Sequence, residues 1–511
     1  MSYKAHPNYE PPQPPPPEYS THYPPPPPPE SNSYYNSDTN NNYQNYESHP
    51  VKKSSAGEKW NTKPKYQDLW AAILFLIHFG AYVVASYFGL KELADTKTIE
   101  TSGLLVLIQK MLKPIIYSAL IGFVLSLVYM VFMQQFPKIL IKVTLWLSIA
   151  LYFLAAIFFG YLRLYIYAII FAIIGLLYAF CAYSWRSRIP FAAILLKTVT
   201  SVTKKYYGTL VISFVGLLLE LGWTAWFVIT AYGWVQKFIS SGVCKTTETG
   251  RFGCSNANLY LILLFLVFSF YWTSQVIKTI VHVTDCGTYA SYYFLEGTAQ
   301  GVGSTPTLSS LKRACTTSFG SVCFGSLIIA ALNTLKAILR TLANSDDGIL
   351  GFVAACFACI LGLIEALIEY FNYYAYIQVA IYGKPFIRAA KDTWRLVKEH
   401  GIDAIINDNL VGNVLAMAAI FIGGICALFG FVYITYLEPG LFTGDQMALS
   451  SALIIIISFI FGFTLTSVML QPINSGVSTI FVALAEDPDA LRQTKPRLYQ
   501  RIVETWPQVA Y

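Results

Sequence analysis

The chain has 511 residues, of which 55% are hydrophobic and 12% charged, and its formal net charge is +7. Soluble domains carry about 25% charged residues, so half that share, with a mean hydropathy of +0.50, excludes a set of soluble domains and places most of the chain in lipid. The positive excess reads as loops on the cytoplasmic face. It offers no soluble basic surface to nucleic acid.

Residues 1–69 are a different material, rich in Pro, Tyr, Asn and Ser. Such a mixture cannot bury enough apolar surface to fold, and a disordered cytoplasmic tail is expected, with polyproline II bias in its Pro runs. Pro16-Pro17-Glu18-Tyr19 matches PPxY, a ligand pattern for WW domains. A WW-domain ubiquitin ligase is the partner this pattern suggests; a chance match in so Pro-rich a tail is the alternative. No apolar N-terminal run resembles a cleaved signal peptide.

The remainder predicts an all-α, polytopic membrane protein. Ten apolar segments are read at about 70–90, 114–134, 139–160, 162–183, 207–235, 258–281, 317–339, 349–371, 410–437 and 449–472, since a span needs roughly 20 apolar residues. The expected organisation is a tail (1–69), a ten-helix membrane domain (70–472) and a cytoplasmic C-terminal segment (473–511). Ten spans put both termini on one side. If that side is the cytoplasm, 25 of the 35 Lys and Arg lie in inner loops and 10 in outer ones, the bias expected of a membrane protein with cytoplasmic termini. Of nine cysteines, only Cys244 and Cys254 share a polar loop, which this topology puts outside, where a disulfide persists.

Two inner stretches, Trp185–Tyr207 and Gly383–Gly401, are amphipathic. Each is expected to lie along the leaflet near anionic lipid or to pack on the bundle as a linker helix. Trp272–Ala330 takes in the end of the sixth span, a polar connector and the start of the seventh. Lys278, His282 and Asp285 read as the point where a helix meets water, with a polar connector following. The small-residue run Thr316–Ser326 reads as a helix surface built for close approach.

Three segments carry a resemblance. WTSQVIKTIVHVTDCGTYASYYF at 272–294, TSFGSVCFGSL at 317–327 preceded by SLKRA, and AYIQVAIYGKPFIRAAKDTWRLV at 375–397 are similar to the signatures of the choline transporter-like family of solute carriers. The resemblance covers about residues 70–490, and the Pro/Tyr-rich tail resembles its fungal branch. It implies a ten-span plasma-membrane protein with cytoplasmic termini, and transport of choline or a related organic cation in animal members.

Ionisable groups within spans are functional candidates by default. Glu220 sits mid-segment with Trp223 and Trp226 at i+3 and i+6. A carboxylate beside indole faces suits a quaternary ammonium; the alternative is that Glu220 pairs with a base on another helix while the indoles pack. Glu365 and Glu369 share a helix face, with Tyr373 one turn on. Starting from Gly348, however, a span ends near Glu369, so both acids are more readily read as groups at the cytoplasmic surface, with Tyr370–Tyr382 running along it. Tyr271 and Trp272 are placed to line a path or to pack. Asn333, Lys336 and Arg340 are read as snorkelling to the surface. No cofactor, metal site or hydrolytic triad is suggested, and an enzyme is the least favoured class. The leading reading is a transporter of choline or another small organic solute. A channel or lipid-handling protein, and a scaffold acting through its tail, stand as alternatives.

Overall fold

The apolar runs fold as continuous helices. A computed structural model describes residues 65–95, 102–240, 244–246, 252–254, 257–343, 348–437 and 447–506. In chain order the helices are α1 (Leu69–Asp95), α2 (Ser102–Gln135), α3 (Pro137–Tyr161), α4 (Tyr165–Trp185), α5 (Ile189–Lys205), α6 (Gly208–Ser240), α7 (Ala257–Leu295), α8 (Pro306–Cys315), α9 (Phe319–Ala343), α10 (Gly348–Tyr382), α11 (Phe386–Val432, extended by a π turn at Tyr433–Leu437), α12 (Met447–Glu486), α13 (Pro488–Thr494) and α14 (Pro496–Thr505). Among the described residues ten helices are long and apolar enough to cross a membrane: α1 to α4, α6, α7 and α9 to α12. A two-stranded antiparallel ribbon, β1 (Cys244–Thr246) with β2 (Phe252–Cys254), joins α6 to α7 and sets Cys244 opposite Cys254. The ribbon's side chains, and with them the expected bridge, lie outside the described residues. So does the PPxY motif.

Lipid supplies no hydrophobic drive between helices, so small and polar residues collect at the helix contacts. Ser86 of α1 hydrogen-bonds Thr230 of α6 at 3.1 Å, and Ser126 of α2 donates to Thr466 of α12 at 3.0 Å. A methyl group on Gly233 would collide with the backbone of Gly89. Leu, Ile and Phe point outward instead. Helix α4 packs chiefly on α3 and presents Ile166, Ile169, Ile173 and Phe180 to the surroundings. Helix α7 is central and touches α1, α6, α9, α10 and α12.

Several helices overrun their expected spans. Helices α7, α11 and α12 have 39, 47 and 40 residues, or about 58–70 Å against a hydrocarbon core of about 30 Å. The polar connector expected from Asp285 is helical to Leu295, with His282, Asp285 and Thr288 buried. Likewise, α10 does not turn along the membrane after Glu369. It runs to Tyr382, and Tyr374–Ile381 are buried. The tenth span continues through 473–486. These surplus lengths converge on the side where α1 begins, here the tail side. There they form the main apolar cluster with α5, α13 and α14. Extensions that leave the hydrocarbon must bury their apolar faces on one another, as an amphipathic helix in water does. Helix α5 follows the linker-helix reading: ten of its 17 residues are buried, and it packs on α2, α3 and α12. The second amphipathic stretch is no separate element; it is the first third of α11.

Two contacts close this side. Trp506 stacks on Phe481 at 5.8 Å and meets Phe191 at 4.8 Å, which ties the C-terminal helices to α5 and α12. Lys495 caps the carbonyl end of α7, its Nζ donating to the backbone oxygens of Tyr292 (2.7 Å) and Glu296 (3.1 Å). At the other end of the chain, Asp68 precedes α1 with φ of 47°, a left-handed conformation that Asp tolerates better than most residues. Its Oδ2 accepts from Ser321 Oγ (2.6 Å) on α9 and from the backbone N–H of Phe386 (2.7 Å) at the start of α11. Gln67 N–H donates to Thr317 O at 3.0 Å. The small-residue run therefore does serve close approach, but against the segment before α1 as much as against a helix. A Cβ on Gly320 would strike the carbonyl oxygens of Gln67 and Asp68.

Gly320→Ala is accordingly expected to destabilise the protein by about 1–3 kcal/mol, the usual cost of overpacking. Gly362→Ala, where a Cβ meets nothing within 4 Å, is expected to be neutral or slightly stabilising. Thermal midpoints in one detergent compare the two. Burial lowers Lys495 from its ordinary value of 10.5 to about 8, so between those values the unfolded chain holds more proton than the folded one. Docking of α13 and α14 is then expected to tighten as pH rises from about 8 toward 10.5. Hydrogen exchange across 490–502 should show this slope in the wild type and a flatter one in Lys495→Met.

Candidate functional site

The residues singled out in the sequence do not assemble into one site. Trp223 Nε1 donates to the Phe270 carbonyl (3.3 Å) and Trp226 Nε1 to Ser86 Oγ (2.6 Å). Their rings lie 4.7 and 5.4 Å from Tyr82. Both indoles thus have their polar atoms used and their faces packed where α6 meets α1 and α7. Glu220, one turn away, is half-buried, and its Oε2 has no hydrogen-bond partner among the described residues. Trp272 is a core residue: its Nε1 donates to the Cys323 carbonyl (3.1 Å), and its ring meets Phe75 and His78 of α1. Tyr271 is half-buried at the margin of the same core. Glu365 is buried and ion-paired with Lys336 of α9, while Glu369 is exposed. Lys336 therefore finds a carboxylate inside the bundle rather than reaching for the surface.

Another acid stands at the centre of a network. Asp408, on α11, takes three hydrogen bonds from two other helices. Tyr370 Oη (2.9 Å) and Tyr374 Oη (2.6 Å) of α10 donate to Oδ2, and Ser478 Oγ (3.2 Å) of α12 donates to Oδ1. The network continues inward. Tyr373 Oη donates to Ser478 Oγ (3.4 Å) and accepts from Asn474 Nδ2 (3.2 Å). The Tyr373 ring stacks on His282 of α7 with centroids 4.2 Å apart. His282 Nε2 lies 3.1 Å from the Tyr373 carbonyl and Nδ1 lies 2.9 Å from Ser475 Oγ. A carbonyl only accepts, so Nε2 carries the proton, and in the neutral ring Nδ1 accepts from the serine. Deeper still, Asp285 is fully buried facing Ser213 of α6, with neither carboxylate oxygen in hydrogen-bond geometry among the described residues.

Asp408 lines a cleft of about 600 Å³ between the α3–α4 hairpin and α11. Three aromatic residues line it: Tyr152 and Tyr178, whose tilted rings have centroids 5.8 Å apart, and Phe171. Asn413, one turn along α11 from Asn409, accepts at Oδ1 from Ser148 Oγ (2.7 Å). Its buried Nδ2 has no partner among the described residues, and the residue is part of the cleft wall. The volume suits a small ligand. An oriented carboxylate and aromatic faces suit a small organic cation. A second cavity of about 550 Å³ between α2, α6 and α12 is lined almost wholly by apolar atoms and offers no counter-charge. Among the described residues no three His, Cys, Asp or Glu side chains gather as a metal site.

Sequence reasoning missed this cleft. Asp408 stands in IINDNLVGN, two residues before the ninth apolar run, and reads as an ordinary interfacial acid. The signals that point to it are the flanking asparagines and the tyrosines of YFNYY at 370–374, which make sense only once α10 is unbroken.

A profile of the family described as plasma-membrane choline transporter matches residues 169–489. Protein PNS1 of Gibberella zeae is 35% identical over 484 residues, covering 91% of this chain and 87% of its own. Protein PNS1 of Mycosarcoma maydis is 36% identical over 482 residues, covering 91% and 88%. Protein PNS1 of Debaryomyces hansenii is 32% identical over 458 residues, covering 88% of each.

The Lys336–Glu365 pair is expected to behave as a buried ion pair. Glu365→Leu alone leaves an uncompensated ammonium and should cost about 3–5 kcal/mol, whereas Lys336→Met/Glu365→Leu should recover most of the loss. Thermal midpoints of the two variants in the same detergent distinguish this from a freely snorkelling lysine, for which the single change would be near neutral.

Proposed function

The chain belongs to the plasma-membrane choline transporter family, and on that premise we propose that it moves choline or a related small organic cation across the plasma membrane, binding it in the Asp408 cleft. Asp408 carries this reading, as a carboxylate held in place by three hydroxyls and facing a cleft with aromatic walls. The carboxylate would supply charge compensation to a quaternary ammonium, and Tyr152 and Tyr178 cation–π contact worth about 0.5–2 kcal/mol each. Because Tyr370, Tyr374 and Ser478 already orient the acid, little reorganisation is needed on binding.

The termini are assigned to the cytoplasm, as the loop charges favour. Asp408 then lies near the cytoplasmic end of its span, and the cleft extends from there toward mid-membrane. Helix α4, packed chiefly on α3, forms the wall with fewest ties to the rest of the bundle and is the part best placed to move. The Glu220 hypothesis is set aside, since its tryptophans are committed to packing.

Uptake of labelled choline and other quaternary amines into vesicles holding the purified protein tests the proposal. Asp408→Asn is expected to lower uptake efficiency roughly 30-fold or more, the usual consequence of removing one partner of a buried charge pair. Tyr152→Leu should chiefly raise KM, and Glu220→Gln should leave uptake near wild type. Unchanged uptake in Asp408→Asn, with a folded protein, would sink the assignment.

A further inference from the structure

We propose that the groove between α9 and the first third of α11 binds one anionic phospholipid of the leaflet on the tail side, which the basic loops assign to the cytoplasm. The groove has a volume of about 400 Å³, and its walls include Phe324 and Ile328 of α9 with Ile387 and Trp394 of α11. Lys391 forms part of the same wall. Along α11, Phe386, Ala389, Thr393 and Leu396 are buried in the bundle. Positions 387, 391, 394 and 398 fall at i, i+4, i+7 and i+11, on one face. That face carries Ile387 and Trp394, 57% and 55% exposed, alternating with Lys391 and Lys398.

The charge on this face is available. Lys384 and Arg395 are engaged by Asp392 at 2.6 and 3.7 Å. Lys391 makes no ion pair among the described residues, and Lys398 sits over the Trp394 ring at 5.5 Å. Depth is marked by two exposed indoles, Trp394 and Trp70 of α1, the latter edge-on to Phe324 at 5.0 Å. Tryptophan prefers the headgroup level. The face thus combines apolar groove walls with ammonium groups set among them. A free phosphate would use only the ammonium groups, and a zwitterionic lipid carries no net charge for the lysines. A lipid with an acyl chain and a net negative headgroup uses both.

Native mass spectrometry of the full-length protein, titrated with phosphatidylserine and phosphatidylcholine of the same chains, tests this. The wild type is expected to retain phosphatidylserine preferentially. Two surface cations at about 1 kcal/mol each mean that Lys391→Gln/Lys398→Gln should cut the preference roughly 30-fold, while Lys391→Arg/Lys398→Arg should keep it. Ile328→Trp, which fills the groove, should lower retention of both lipids. Equal retention of the two lipids by the wild type would overturn the proposal. So would a preference untouched by the glutamine variant, or displacement of the lipid by glycerophosphoserine alone.

Discussion

One carboxylate determines how three long helices are aligned. Asp408 rises on α11, and the hydroxyls that satisfy it come from α10 and α12. Sliding either helix by a turn would withdraw those donors and leave a buried acid unsatisfied, a cost of several kcal/mol in so dry a setting. The same alignment brings Tyr373 onto His282 and so fixes α7 against the other three. The polar centre and the apolar cluster around it are mutually dependent. The hydroxyls can be buried only because α7, α10 and α12 continue past the membrane and pack on each other.

The stretch most recognisable in the sequence is not where ligand chemistry sits. TSFGSVCFGSL at 317–327 begins α9, and its first glycine and serine receive the segment before α1. Gly320 makes room for the carbonyls of Gln67 and Asp68, and Ser321 donates to Asp68. Asp68 also caps α11, whose own N-cap, Pro385, offers no side-chain acceptor. A signature of this kind follows from backbone meeting backbone, where any side chain beyond a hydrogen would collide. It joins the chain's first described residues to its seventh and ninth spans and contributes nothing to the cleft lining.

A division of labour follows along the membrane normal. Toward the side away from the tail, helices meet through small residues, single hydroxyl bonds and packed tryptophans, with many large apolar side chains turned outward. Toward the tail side, the helices lengthen, and α5, α13 and α14 cover them. The Asp408 cleft lies beside the polar network that α10, α11 and α12 share, and the α9–α11 groove is lined by a separate set of residues.

The sequence by itself determined the number, order and approximate centres of the spans, because roughly 20 apolar residues leave no other stable arrangement in a bilayer. It also carried the family, through motifs long enough to be read without coordinates. It did not reveal where the spans end on the tail side. Polar residues such as His282 and Asp285 look the same whether they face water or a polar core, and hydropathy alone cannot separate the two. Nor could it rank the acids. Glu220, Glu365 and Asp408 are each a carboxylate near apolar neighbours in one dimension. Only the tertiary structure pairs Glu365 with Lys336, commits the tryptophans beside Glu220 to packing, and sets Asp408 between Tyr370, Tyr374 and Ser478 at the floor of an aromatic cleft. The reason is that a buried charge is defined by its partners, and here those partners lie on helices separated by tens to hundreds of residues.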